Sequence, residues 1–486
     1  MKNIVIGSGP AGRLGSLELG KLGEDVTLIE KNHIAGTCLN EGCMVVCALT
    51  DITKFIDENN RFNKHGFIKS QLEISYDKIV EKITETQVKL RQLNQMENES
   101  VGNNVIYGEA KIEDNQVIVN NETFDWDNLL IATGARPFIP PVKGSEFGLT
   151  NKDILKLDDV PEKLNIIGGG IIACEIANIY ATLGSEVNVI VRSTFLKELS
   201  ENTKRYVLEK IIPNVNIMEN TDVIEVFKDK VLTNDGQELE GVPFFATGRT
   251  PNSEIAEGFV ELNPDKSIKV NEMMQTNVSN VYAAGDVTGG YQLTPVARME
   301  GITAARNMAK YGNKVSYNCI PQTLSLNTEV SFVKNEKTNL GEDEKATIAI
   351  PGIAGPGAFW KILEGNTGYT EIEFDKNKNK INKINSISPS STSDVAYLSY
   401  LMRMDYDLDD YSEFLEIHPS TYTNYKIIKI CGYNATILLF LGCCQPNYLR
   451  HSYTHPHNTA HFPAGNHNFQ KLPECFRKHH QRLILS

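Results

Sequence analysis

Lys2-Asn3-Ile4-Val5-Ile6-Gly7-Ser8-Gly9-Pro10-Ala11-Gly12 joins a short β-branched run to a glycine-rich turn, and a helix-compatible stretch follows to Leu22. A run with no charge after Lys2 is what a buried parallel strand requires. A second apolar run, Val26-Thr27-Leu28-Ile29, then ends in Glu30. Each part of this strand–turn–helix–strand unit has a physical task. Gly7 permits the tight turn, Gly9 lets the backbone approach a pyrophosphate, with Pro10 and Ala11 beside it, and Gly12 lets helix pack on strand. The helix N-terminus offers unpaired N–H groups and positive potential to phosphates. Glu30 can accept hydrogen bonds from a ribose. The unit predicts dinucleotide binding.

The same grammar recurs midway. Leu164–Ile167 leads into Gly168-Gly169-Gly170-Ile171-Ile172-Ala173, a helix through Ala181 and a strand Val187–Val191. Gly168, Gly170 and Ala173 take the places of the three turn residues above. Two such units in one chain point to two different dinucleotides between which electrons pass.

The rest of the composition bounds the answer. At 486 residues the chain is long enough for several domains. Its hydrophobic share of 41% and charged share of 22% are those of a soluble globular protein. A formal charge of −13 argues against sequence-independent nucleic-acid binding. The longest apolar run, around Ala435–Gly442, is far short of a membrane span. The first strand begins at Lys2, which leaves no room for a signal peptide, so a cytoplasmic protein is expected. Nine cysteines are too few for a disulfide scaffold, and those with special spacing are expected to be chemical.

That spacing occurs in Gly36-Thr37-Cys38-Leu39-Asn40-Glu41-Gly42-Cys43. Two cysteines separated by four residues can close a small disulfide ring. If Cys43 opens a helix, the dipole there favours its thiolate. Buried structural cysteines or half of a metal site are the other readings. No second half-site lies nearby, so no metal is expected.

This octapeptide resembles the redox signature of the pyridine nucleotide-disulfide oxidoreductases. Further resemblances follow in the family's order. Ala132-Thr133-Gly134-Ala135-Arg136-Pro137 is similar to the motif closing the first FAD segment, and Ala246-Thr247-Gly248-Arg249-Thr250-Pro251-Asn252 to the one ending the nicotinamide domain. Tyr282-Ala283-Ala284-Gly285-Asp286-Val287 resembles the motif whose Asp bonds the ribityl chain of FAD. Pro321-Gln322-Thr323, Glu329-Val330 and His418-Pro419 match the interface domain.

The resemblance implies an α/β protein with two Rossmann-like FAD/NAD(P)-binding domains and an α+β C-terminal dimerisation domain. The FAD-binding domain would take residues 1–140 and 260–318, and the NAD(P)-binding domain 141–259. Residues 319–430 would form a mixed sheet with helices, and 431–486 an atypical tail. It further implies FAD, a nicotinamide cofactor, a disulfide substrate and a homodimer. Cys43 would be the thiolate beside the flavin, Cys38 the exchanging thiol, and His418 of a second copy the base. No nucleic-acid or membrane partner is expected.

Three departures from the family stand out. Val45 and Cys47 stand where Pro and Lys are usual; that Lys normally pairs with a Glu matching Glu175, which would here be unpaired, or protonated if dry. Cys47 lies one helical turn beyond Cys43, as a third redox thiol or, preferably, a small buried hydrophobe. Thr423 replaces the Glu that assists the catalytic His. Val191 stands where NAD-specific enzymes place a carboxylate, and Arg192 follows, with Lys197 near; this favours the 2′-phosphate of NADP over NAD.

Dihydrolipoamide dehydrogenase is the leading activity within the family. The alternatives are an NADPH-dependent reductase of thioredoxin, a small disulfide or a metal ion, and a redox-inactive flavoprotein subunit. Residues 431–486 hold seven of the ten histidines and four of the nine cysteines, including Cys443-Cys444, without sustained periodicity. They read as a poorly ordered tail. Tyr76–Asn98 reads as a long exposed helix packing through Ile79, Ile83 and Val88.

Overall fold

The computed structural model describes residues 1–413, 415 and 417–421. Two parallel sheets and one antiparallel sheet make up the framework. In the first, Lys2–Ile6 sits between Asp25–Glu30 and Asn128–Ile131, with Asn104–Tyr107 and Val281–Ala283 at the edges. The strand Val281–Ala283 thus returns to the first sheet after the whole second sheet has been built. That second sheet has the order Asn216–Glu219, Glu186–Val191, Lys163–Ile167, Val242–Phe245, again all parallel. In both, the strand that feeds the glycine turn lies inside the sheet, so the turn opens at the carboxyl edge between two neighbours, where open α/β sheets bind ligands.

The strand interiors are as apolar as the sequence requires, with one exception repeated in each sheet. Asn3 and Asn128 are buried and bonded to each other at 2.9 Å. Asn165, Asn188 and Asn216 form a ladder across three strands, each step 2.9 Å. Side-chain amides placed in register satisfy one another and penalise a slip of the strands.

The third sheet runs Gln322–Leu324, Val330–Lys334, Lys380–Ile387, Tyr369–Asp375, Lys345–Pro351 and is antiparallel throughout, not mixed as expected. Three pairs of consecutive strands, Gln322–Leu324 with Val330–Lys334, Lys345–Pro351 with Tyr369–Asp375 and the latter with Lys380–Ile387, lie side by side without the crossover that a parallel pair needs. The helix Ser391–Arg403 covers it, packing Val395, Leu398 and Met402 on Val333, Ile372 and Ile384.

The long helix spans Tyr76–Glu99. Ile83 is buried and Ile79 packs beside the core, but Val88 is 45% exposed. Five positions separate Val88 from Ile83, which carries it off the packed face; the buried residue there is Gln87. Among the described residues no helix is long and apolar enough to cross a membrane. Thr423 and the tail at 431–486 lie outside the described residues.

Candidate active site

A cleft of about 1390 Å³ joins the carboxyl edges of both parallel sheets. The first turn contributes Gly7, Gly9, Pro10 and Ala11, followed by Glu30, Gly36, Thr37, Thr133, Gly134, Gly285 and Asp286. From the second come Gly168, Gly170, Glu175, Arg192, Gly248 and Arg249, and Cys38 and Cys43 line the same space. Gly12 and Ala173 do not line it. Both sit behind the turns, where helix meets strand; a Cβ on Gly12 would lie 1.9 Å from the Gly7 carbonyl oxygen. Their role is packing, not contact with a ligand. His418 also lies apart, exposed beside a smaller cavity walled by Arg61, Trp360 and Lys361.

The first turn fits a dinucleotide. A Cβ on Gly9 would meet nothing within 4 Å, so the backbone there faces open space, whereas one on Gly7, at φ +97°, would strike the Ala132 carbonyl at 2.4 Å. The Glu30 carboxylate is fixed by Ser8, through its N–H at 3.0 Å and its hydroxyl at 2.5 Å. One carboxylate oxygen is thereby held at the strand end where a ribose is expected. Farther along, Asp286 lies 3.3 Å from Arg249 Nε. That buried nitrogen makes no aligned hydrogen bond, and burial pushes the Asp286 carboxyl up despite the arginine charge. A polar ligand group can satisfy both. These residues fit the flavin dinucleotide implied by the sequence resemblance.

Cys43 opens the helix Cys43–Lys64, and Thr294 opens the helix Thr294–Met308. The two N-termini converge, with Thr294 Oγ1 3.7 Å from Cys43 Sγ. Cys38 and Cys43 are free thiols in hydrogen-bond contact. Cys38 is lowered to about 6, because Cys43 donates to it against the cost of burial, aided by Thr294 and the Arg298 charge. Cys43 is pushed up by keeping that proton and by burial. The two sulfurs thus share one proton, and the reduced pair holds its first negative charge between them. The helix dipole at Cys43, the Thr294 hydroxyl and the Arg298 charge all favour a thiolate in this pair.

The long helix braces this loop from behind. Gln87 Nε2 donates to the Leu39 and Asn40 carbonyls at 3.0 and 3.1 Å, and Arg91 Nε to Asn40 Oδ1 at 2.6 Å. Cys47 is exposed toward the cleft, which overturns its reading as a small buried hydrophobe. Glu175 sits in the cleft wall and accepts the Ser325 N–H at 2.8 Å. Burial pushes its carboxyl up to about 8, with the Cys43 charge adding to the rise. Ser8, Gln87, Thr294 and Arg298 are site residues that the sequence reading missed. Of these, Thr294-Pro295 carried a signal, since Pro favours the first turn of a helix.

Together the fold and the cleft define a two-dinucleotide oxidoreductase architecture with a dithiol between its nucleotide turns. The pyridine nucleotide-disulphide oxidoreductase family matches residues 1–301, and the chain belongs to it. It is similar to an uncharacterized protein of Methanocaldococcus jannaschii, at 31% identity over 88% of this chain and 97% of that one. It is also 30% identical to a dihydrolipoyl dehydrogenase of Buchnera aphidicola, over 86% of this chain and 93% of that one. The crystal structure of LpdA from Mycobacterium tuberculosis shares the fold, with a TM-score of 0.79, 21% identity, and coverage of 88% of this chain and 99% of that chain.

Proposed function

We infer that this chain passes electrons between NAD(P)H and a disulfide or dithiol substrate, with an activity similar to dihydrolipoyl dehydrogenase. The observation that carries this reading is the thiol pair at two helix N-termini, in one cleft with both glycine turns. FAD, held by Gly7, Gly9, Glu30, Gly285 and Asp286, would supply two-electron relay between nicotinamide and sulfur. The chain's own residues do the rest. Cys38 is the thiol that exchanges with the substrate sulfur, in its thiolate form because exchange requires one, and Cys43 is the thiolate that meets the flavin. Cys43 closes the ring with Cys38 on oxidation, and Thr294 holds the pair in place.

A second copy would supply His418 as proton acceptor, since within one chain this residue lies away from the dithiol. The C-terminal part supports a homodimer: Phe359, Ile362 and Leu363 are each more than half exposed. Arg192 and Lys197 both line the cleft near Val191, and this favours NADPH. The same pair supports a second reading, an NADPH-dependent reductase of another disulfide. A reduced compartment such as the cytoplasm suits a thiol pair used for chemistry.

Anaerobic addition of NADPH or NADH tests the core reading. Reduction should give a long-wavelength absorbance band from a thiolate against the flavin, and Cys43→Ser should abolish it. If neither nucleotide reduces the flavin, the chain is a redox-inactive flavoprotein and the reading fails.

A further inference from the structure

Glu175 lies on the helix Ile171–Leu183 with its carboxyl in the cleft wall. Its hydrogen bond comes from one backbone donor, the Ser325 N–H. The titratable groups that face it are thiols: Cys43 and Cys47 from the helix Cys43–Lys64, and Cys174 beside it on its own helix. The Ser325 segment brings no charged side chain to it. Among the described residues no lysine or arginine forms an ion pair with Glu175. The nearby cations are engaged elsewhere: Lys54 reaches Glu329 at 3.5 Å and acts on Cys47, and Arg298 acts on Cys38. A carboxylate and a thiolate would thus be like charges in one poorly hydrated wall, with no cation between them.

We propose that Glu175 and the Cys38–Cys43 dithiol form one proton-coupled unit that holds a single negative charge, so that reducing the disulfide draws a proton onto Glu175. The inference rests on the dithiol assigned above and deepens it. The S–S bond takes two electrons and one proton, giving one thiol and one thiolate. The new thiolate then raises the proton affinity of the neighbouring carboxylate, which takes a second proton from solvent. On reoxidation the thiolate charge disappears and Glu175 gives that proton back. Groups coupled in this way titrate as a pair, in two macroscopic steps.

The test uses the purified, flavin-containing protein reduced with a phosphine, so it needs no nicotinamide turnover. Two readouts are followed from pH 5 to 10: the rate of iodoacetamide alkylation at Cys38, and the infrared band of a protonated carboxyl. Wild type should show two steps in alkylation and a carboxyl band at pH 7 that fades through about pH 8. Glu175→Gln should collapse the profile to one step and remove the band. Cys47→Lys, which returns a cation to the cleft wall, should remove the band at pH 7 while leaving the carboxylate in place. A wild-type protein without the band at pH 7, or a Glu175→Gln profile identical to wild type, overturns the inference. Failure of the dithiol assignment would look different: Cys38 would not alkylate after reduction in any variant.

Discussion

The two glycine turns share one backbone problem and solve the strand end in opposite ways. In both, the first glycine is demanded by the neighbouring strand: a Cβ on Gly7 would lie 2.4 Å from the Ala132 carbonyl oxygen, and one on Gly168 2.2 Å from that of Ala246. Gly9 and Gly170 both face open space. The difference lies at the residue between. Ser8 reaches across to hold Glu30, while Gly169 leaves room for Val191, whose Cγ1 would lie 2.4 Å from an added Cβ. Serine belongs with a carboxylate at the strand end and glycine with an apolar residue. The middle residue of the turn, usually read as filler, reports which nucleotide chemistry the next strand offers.

The third turn position gives the largest expected effect. Gly12→Ala must push its Cβ away from a carbonyl oxygen 1.9 Å off, with the Ala132 methyl 3.1 Å away and no flexible side chain to yield. Such overpacking costs about 1–3 kcal/mol or more. The variant should melt several degrees lower and lose flavin on desalting, read from the thermal midpoint and the flavin-to-protein absorbance ratio. An unchanged ratio would show that the first turn does not hold the flavin.

Both turns, the helix opened by Cys43 and a Glu175 without its usual lysine partner were legible in the sequence, because each rests on local spacing or on a motif that fixes chain order. What was not legible depends on contacts between distant segments. Thr294 meets Cys43 across 251 positions, and its hydroxyl and the Arg298 charge favour a thiolate in the pair. The asparagine ladder hides in runs that read as apolar, since Asn165 is one polar residue among buried aliphatics. Val88 looked like a packing residue because a long polar helix offers few apolar positions, and the structure buries Gln87 instead to hold the cysteine loop.

Transplanting the first strand end into the second sharpens the comparison at intermediate size. In the double variant Gly169→Ser, Val191→Glu, the serine should fix the new carboxylate as Ser8 fixes Glu30. A charge-assisted hydrogen bond is worth about 1.5–3 kcal/mol. Preference should therefore move from NADPH toward NADH by roughly 10–100-fold in the ratio of kcat/KM values. Repulsion between the new carboxylate and a 2′-phosphate adds to the shift. If the ratio does not move, the strand end at Val191 and Arg192 is not where the adenosine ribose binds.

The smallest effect is expected at the residue that answers Gly12 in the second turn. Ala173 is fully buried and does not line the cleft, so its methyl already fits between helix and strand there. The second turn therefore tolerates a wider helix–strand gap than the first. Ala173→Gly removes one methyl and frees the unfolded backbone, at a cost of about 0.5–1 kcal/mol. The thermal midpoint should fall slightly while flavin content and the KM for nicotinamide stay at wild-type values. A large loss of nicotinamide affinity would mean that the methyl shapes the phosphate turn directly, and the two turns would then differ in mechanism as well as in strand-end chemistry.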